Sequence, residues 1–221
     1  MNSFVSERYD DIYFNLQDPE AEKDFVFLHG NDLYRRLALQ PQCLVVAELG
    51  FGYGLNCALL LAAAREARYS GSLHFYSVEE NLPTEEQARA LLPKLSKSAN
   101  AYASLWQHRH ALSRGERVDI FGVCVTVFPG DVNEFLSRAE FLADAWFFDG
   151  FSPAKNSAMW SDAVFAAAFA RTRAQGTFAT YSSAGWVRRN LLAAAYTVSR
   201  VPGFSGKREM LTGKKEKDAP A

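Results

Sequence analysis

After Pro41 the chain alternates between short apolar runs and longer helical stretches, and that rhythm limits the fold more than any other feature. Residues 44–49, 73–78, 143–148 and 177–181 read as strands. Residues 55–68, 84–92, 132–139, 161–174 and 185–195 read as helices between or after them. Residues 117–128 read as two short strands broken at Gly122, and two last strands lie near 197–201 and 209–211. Strands alternating with helices predict an α/β domain, a mostly parallel sheet with helices on both faces. The last strand pair predicts an antiparallel edge. The first forty residues are mixed, with short strands at 9–14 and 25–28 and a turn at Gly30-Asn31-Asp32. The expected division is an N-terminal extension over 1–40, one domain over 41–213 and a flexible tail over 214–221. A chain of 221 residues suffices for one such domain with a substantial core.

The first strand runs into its helix through Glu48-Leu49-Gly50-Phe51-Gly52-Tyr53-Gly54-Leu55-Asn56. Glycines at alternate positions permit a tight turn and bring backbone N–H groups near a ligand at a helix N-terminus. The spacing departs from the glycine fingerprint of dinucleotide-binding folds, and the Lys-Ser/Thr of a phosphate loop is absent. Glu48 has the wrong sign for a pyrophosphate and the right sign for an amino-acid ammonium group. That points to S-adenosyl-L-methionine rather than a nicotinamide dinucleotide. Glu79 ends the second strand, where an acid takes ribose hydroxyls. Asp131, after Gly130, suits either an adenine amino group or a helix cap. The expected cofactor-binding set is therefore Glu48, Gly50, Gly52, Gly54, Asn56, Glu79 and Asp131.

Asp149-Gly150-Phe151-Ser152-Pro153-Ala154-Lys155-Asn156 follows the apolar run 143–148 directly. It places a carboxylate, a turn and an aromatic ring at the carboxyl end of a strand, where open α/β sheets bind ligands. Asp149 is suited to accept an amine N–H, Phe151 to stack on a flat group, and Pro153 to stiffen the loop. Asp149 is the candidate catalytic residue; its alternative role is to cap the Asp-Gly turn.

Composition narrows the class. Hydrophobic residues make up 48% of the chain, yet no apolar run approaches the roughly 20 residues that span a bilayer. Met1 to Asp10 is polar and does not read as a signal peptide. Cys43, Cys57 and Cys124 are odd in number and far apart, which argues for reduced thiols in a cytoplasmic protein. His29, His74, His108 and His110 lack metal-ligand spacing, so no metal site is expected. The net charge of −1 hides an asymmetry. Residues 1–150 carry 13 basic and 21 acidic side chains, and residues 151–221 carry 11 and 4. A basic C-terminal third is compatible with a polyanion such as RNA; three of its charges, Lys214, Lys215 and Lys217, also fit a solvated tail.

These motifs carry a family resemblance. The runs 48–56, 144–156 with Met159-Trp160, and 203–211 resemble the MnmD methyltransferases, which are also the N-terminal domain of the bifunctional tRNA-modifying enzyme MnmC. Residues 6–14 and 27–33 fit the family's N-terminal segment, so the resemblance covers about 6–213. It implies a class I, Rossmann-like S-adenosyl-L-methionine-dependent methyltransferase. The implied substrate is 5-aminomethyl-2-thiouridine at the tRNA wobble position, and the product its 5-methylaminomethyl form. The FAD-dependent oxidase half of MnmC has no counterpart here, which implies a stand-alone enzyme or an isolated domain, with a separate oxidase acting earlier. Two positions depart from the family pattern. Tyr53 stands where Thr is usual, and Glu79-Glu80-Asn81 replaces a Glu-Lys pair.

On this resemblance the substrate-binding candidates are Phe151, Pro153, Lys155, Ser182, Arg188 and Lys207. Each also has an ordinary structural reading. Phe151 stacks on uracil or packs in the core, and Lys155 holds a phosphate or pairs with a nearby acid. Ser182 and Ser183 line the pocket or cap a helix. Arg188, Arg189, Lys207 and Arg208 contact phosphates or are surface charge. Two rival functions remain: a methyltransferase or aminopropyltransferase acting on a small-molecule amine, and a catalytically silent RNA-binding domain.

Overall fold

The computed structural model describes residues 4–15, 17–206 and 209–216. Its centre is an eight-stranded sheet in the order β5-β6-β4-β3-β7-β8-β10-β9. The five middle strands are parallel: β6 (Val123–Pro129), β4 (Ser72–Glu79), β3 (Cys43–Leu49), β7 (Ala143–Phe148) and β8 (Thr172–Thr180). β10 (Met210–Lys214) and β9 (Thr197–Val201) form the expected antiparallel edge. The hairpin through Gly122 adds a second at the opposite side, where β5 (Val118–Ile120) runs against β6. Chain order reverses between β3 and β7, which opens a crevice at their carboxyl ends.

Successive side chains of a strand point to opposite faces, and the core divides accordingly. On one face Val46, Phe75, Val125, Ala145 and Phe147 pack with α3 (Leu55–Glu66), α5 (Ala99–Gln107) and the N-terminal helices. On the other, Ala47, Leu49, Trp146, Phe148 and Phe178 pack with α7 (Val132–Arg138), α8 (Asp162–Ala170) and α9 (Gly185–Ala193). Among the described residues no helix is long and apolar enough to cross a membrane.

Two expectations are corrected, and one segment holds helices that the pattern does not predict. Residues 25–28 are not a strand. They lie in a wide π-type helical stretch, Asp24–His29, that continues α1 (Pro19–Lys23). Asp18 caps α1 by accepting the Ala21 N–H at 3.0 Å, and Pro19 opens it. Val26, Phe27 and Leu28 are then buried in succession, a pattern that periodicity alone does not separate from a strand. The 161–174 helix ends at Ala170, and β8 begins at Thr172, paired with Ala143. Finally, α5 and α6 (Arg109–Leu112) occupy a segment without an assigned element, and α4 (Glu85–Leu91) precedes them.

The N-terminal extension is tied to this frame by polar groups. A hairpin of β1 (Val5–Ser6) and β2 (Asp11–Ile12) leads into α1, and α2 (Leu33–Ala38) follows. Buried Asn31 donates to the carbonyls of Phe27 and Trp146 and accepts from Thr177. Glu20 of α1 is 6% exposed and accepts five hydrogen bonds, from the backbone N–H of Ser96, Lys97 and Ser98 and both serine hydroxyls. Burial alone raises a carboxyl's pKa, but these donors outweigh it and hold Glu20 below its ordinary value. Its contribution is therefore present above the ordinary glutamate range and lost as pH falls through the depressed value. Glu20→Gln should cost about 2 kcal/mol at pH 7 by urea denaturation. The gap from wild type should close in acid, once Glu20 itself is protonated.

Candidate active site

The crevice between β3 and β7 opens into a cleft of about 1620 Å³. The glycine loop forms one wall. Gly50, Gly52 and Gly54 have φ of +97°, +52° and +70°, in the left-handed region open to glycine at little cost. Gly50 shows why a side chain is excluded. A Cβ there would lie 2.6 Å from the Asp149 carbonyl oxygen, so the loop passes directly against the Asp149-Gly150 turn. Gly54 starts α3, whose first N–H groups point toward the crevice end of the sheet.

Asp149 follows β7, its backbone N–H donating to Leu49. The side chains of Asp149 and Lys23 are only 6% and 13% exposed, with Lys23 Nζ 2.5 Å from Asp149 Oδ2. Asn56 Nδ2 donates to the same oxygen at 2.6 Å and to Glu48 Oε1 at 2.8 Å. No hydrogen bond among the described residues goes to Asp149 Oδ1, and Asp149 lines the cleft. Burial raises the Asp149 pKa, with Lys23 and Asn56 opposing the rise. The amide of Asn56 is half satisfied: Oδ1 is buried without a partner, an acceptor available to a ligand's donor.

Glu79 lines the cleft at the end of β4, accepting from Gly52 N–H at 2.8 Å and Asn81 N–H at 3.0 Å. Burial raises its pKa, and these bonds partly offset the rise. Of its two expected roles, Asp131 fills the helix cap. It caps α7 through Asn133 N–H at 2.8 Å and also lines the cleft.

Other candidates stand elsewhere. Glu48 is fully buried and off the cleft wall, behind Asn56, with Ser77 donating to its second oxygen. Burial, followed by the charge of Asp149, pushes its pKa up to about 8. Pro153 is buried away from the cleft. Ser182 is 6% exposed and off the cleft wall, its hydroxyl accepting the Ala184 N–H in the turn before α9; it does not cap that helix, whose N-cap is Ala184 without a side-chain capping bond. Arg188 lies on α9, off the cleft, with Nε buried and unpaired. Lys207 lies outside the described residues. Lys155 is on the cleft, but its ammonium is bonded to the Asp10 carbonyl and lies 3.7 Å from the Asp10 carboxylate.

The N-terminal hairpin roofs this cleft, and sequence reasoning assigned it no role. Arg8 pairs with Glu80 on the glycine-loop side, and Asp11 accepts the Ser152 N–H at 2.9 Å on the other. Tyr9 stacks on Phe151 at 4.7 Å, and Tyr13 meets Phe151 edge-on at 4.9 Å. Lys23 was also missed. The local signal was the Asp18-Pro19 helix start, which makes 19–23 helical and brings Lys23 to the apolar run behind it. Acidic groups outnumber basic ones on the cleft wall, and Arg8, Lys23 and Lys155 are all paired with carboxylates.

A family profile described as S-adenosyl-L-methionine-dependent methyltransferase matches residues 93–216, more than half of the chain. The chain belongs to that family. Its cofactor is S-adenosyl-L-methionine, and the site fits that molecule on its own evidence: an acid-rich wall for a sulfonium and an ammonium, and an unpaired buried acceptor on Asn56. Among curated relatives, the chain is 44% identical over 219 residues to the tRNA 5-methylaminomethyl-2-thiouridine biosynthesis bifunctional protein MnmC of Stutzerimonas stutzeri (strain A1501), covering 94% of this chain and 32% of that one. The protein of the same description from Caulobacter vibrioides is 44% identical over 213 residues, covering 93% and 35%. The chain thus spans about a third of the length of the curated relatives it matches. The crystal structure of MNMC2 from Aquifex Aeolicus superposes with a TM-score of 0.81 at 20% identity, covering 98% of this chain and 68% of that one. The fold is the class I methyltransferase fold.

Gly50→Ala should weaken S-adenosyl-L-methionine binding at least tenfold by calorimetry, because the methyl group meets backbone. Gly122→Ala is the control, with φ +80° and open space around it. It should cost about 1 kcal/mol of stability and leave the affinity unchanged.

Proposed function

We propose that the chain methylates the primary amine of 5-aminomethyl-2-thiouridine at the wobble position of tRNA, giving the 5-methylaminomethyl nucleoside. The observation that carries this reading is Asp149, a cleft-lining carboxylate buried at the strand end, with Oδ2 committed to Lys23 and Asn56 and no hydrogen bond to Oδ1 among the described residues. The aromatic group of Tyr9, Tyr13 and Phe151 beside it suits a flat base. The names of the curated relatives, which give the 5-methylaminomethyl-2-thiouridine nucleoside, support the same reading; an oxidase acting earlier is part of the proposal.

When bound, S-adenosyl-L-methionine supplies an electrophilic methyl carbon on a positively charged sulfur. Gly50, Gly52, Gly54, Asn56, Glu79 and Asp131 are the residues we assign to holding it, with Glu48 acting through Asn56. Asp149 Oδ1 accepts an amine N–H, aims the nitrogen lone pair into the cleft, and passes the released proton to water. Orientation is its larger role, since an ionised aspartate is a weak base. Phe151 supports the base, and Arg188, Arg189 and Lys207 contact phosphates of the anticodon arm.

The test supplies radiolabelled S-adenosyl-L-methionine with tRNA carrying the aminomethyl group, unmodified tRNA, or free polyamines. Label should enter only the wobble nucleoside of the aminomethyl tRNA, and Asp149→Ala should lower kcat about 10²-fold or more. Equal transfer by Asp149→Ala would reduce Asp149 to a turn residue. Label in free amines alone would favour the small-amine reading that the acidic cleft also suits.

A further inference from the structure

Lys23 has no part in the chemistry so far, yet it occupies one side of the acceptor carboxylate. Its ammonium touches Asp149 Oδ2 and lies 5.4 Å from the centroid of the Phe27 ring. The charged and titratable groups around it come from six elements. Glu20 and Glu22 share its helix, and Glu20 is committed to Ser96, Lys97 and Ser98. Asp24, in the next turn, is committed to Lys97 and Tyr34. Asp149 comes from the end of β7, and Glu48 of β3 stands behind Asn56 of α3. Tyr181, after β8, donates to the Gly150 carbonyl, and Asp11 of β2 is held by Ser152.

Counting charge at the carboxylate gives the inference. Asp149 with Lys23 is a neutral pair, and Glu22 acts on Asp149 as a more weakly felt like charge. An amine that arrives at Oδ1 as an ammonium puts two cations on one carboxylate, and like charges this close disfavour the second charged form. An amine that arrives neutral donates an N–H and adds no charge. Without Lys23 the preference inverts, because a lone buried carboxylate recruits the ammonium. The distinction matters because a free alkylamine has a pKa of about 10.4 and is mostly protonated, without a nucleophilic lone pair, near neutral pH.

We propose that Lys23 is a positioning residue that admits the methyl-accepting amine to Asp149 only in its neutral, nucleophilic form. The proposal rests on the amine-methylation reading above. It places a charge-selecting group on α1, in the N-terminal extension.

The test measures proton release on binding. An anticodon stem-loop carrying 5-aminomethyl-2-thiouridine is titrated into cofactor-free protein at pH 8, by calorimetry in buffers of different ionisation enthalpy. Wild type should release about one proton per stem-loop, since the amine sheds its proton on entry. Lys23→Met should release markedly less, and Lys23→Arg, which keeps the charge, should release as wild type does. Melting curves and S-adenosyl-L-methionine affinity of each variant report folding separately. In turnover, the acid limb of kcat against pH should move up by about 1–2 units in Lys23→Met. A purely structural role would lower kcat by the same factor at every pH. Equal proton release by wild type and Lys23→Met, with tRNA still methylated, overturns the proposal and leaves the function standing. Failure of wild type to methylate any tRNA amine overturns the function, and the proposal with it.

Discussion

A carboxylate buried at the end of a strand must be compensated, and the compensation of Asp149 organises this molecule. An unpaired charge in that position would be strongly unfavourable. The sheet itself supplies little relief: β7 delivers Asp149, and the neighbouring strand offers only the Leu49 carbonyl to its N–H. Relief comes from Asn56 on the first turn of α3 and from Lys23 on α1, converging on one oxygen. Three segments far apart in the chain are therefore joined at one atom. Gly50 completes the arrangement by letting the loop that leads to Asn56 pass against the Asp149 backbone.

The same junction explains why the N-terminal extension is part of the site rather than an appendage. Glu20 and Asn31 fasten the helical segment to the domain through fully engaged polar groups, and Lys23 then reaches the cleft from a fixed base. Ahead of it the hairpin is held on both banks, by Glu80 on one and Ser152 on the other. Its tyrosines complete the aromatic surface around Phe151. The cleft is acidic on balance and has its cations already paired, which suits a cationic cofactor. The basic side chains that suit a polyanion, Arg188 and Arg189, stand outside it on α9.

Most of the sheet, and several of the residues that line the cleft, were legible in the sequence because each depends on local pattern. Strands of four to seven apolar residues between helices, a glycine loop after the first strand, and an Asp-Gly turn after 143–148 all declare themselves within a few positions. What was not legible depends on distance or direction. Lys23 meets Asp149 across 126 positions, and no local rule couples them. Residues 25–28 are apolar in succession, which suits a strand and a buried helical turn equally. Pro153 and Ser182 were correctly placed near the strand ends, yet face the interior because loop direction is set by tertiary packing. Glu48 had the right charge for an ammonium but sits one layer too deep, with Asn56 between it and the cleft.

The most direct test of this account is a double-mutant cycle on folding stability with Lys23→Met, Asp149→Ala and the pair together. The account predicts that Lys23→Met, which strands the buried carboxylate, costs about 3 kcal/mol, and that the double variant is no less stable than that single one. The coupling energy would then be a few kcal/mol. Effects that simply add, within about 0.5 kcal/mol, would contradict it, since the two groups would then be neighbours without being partners.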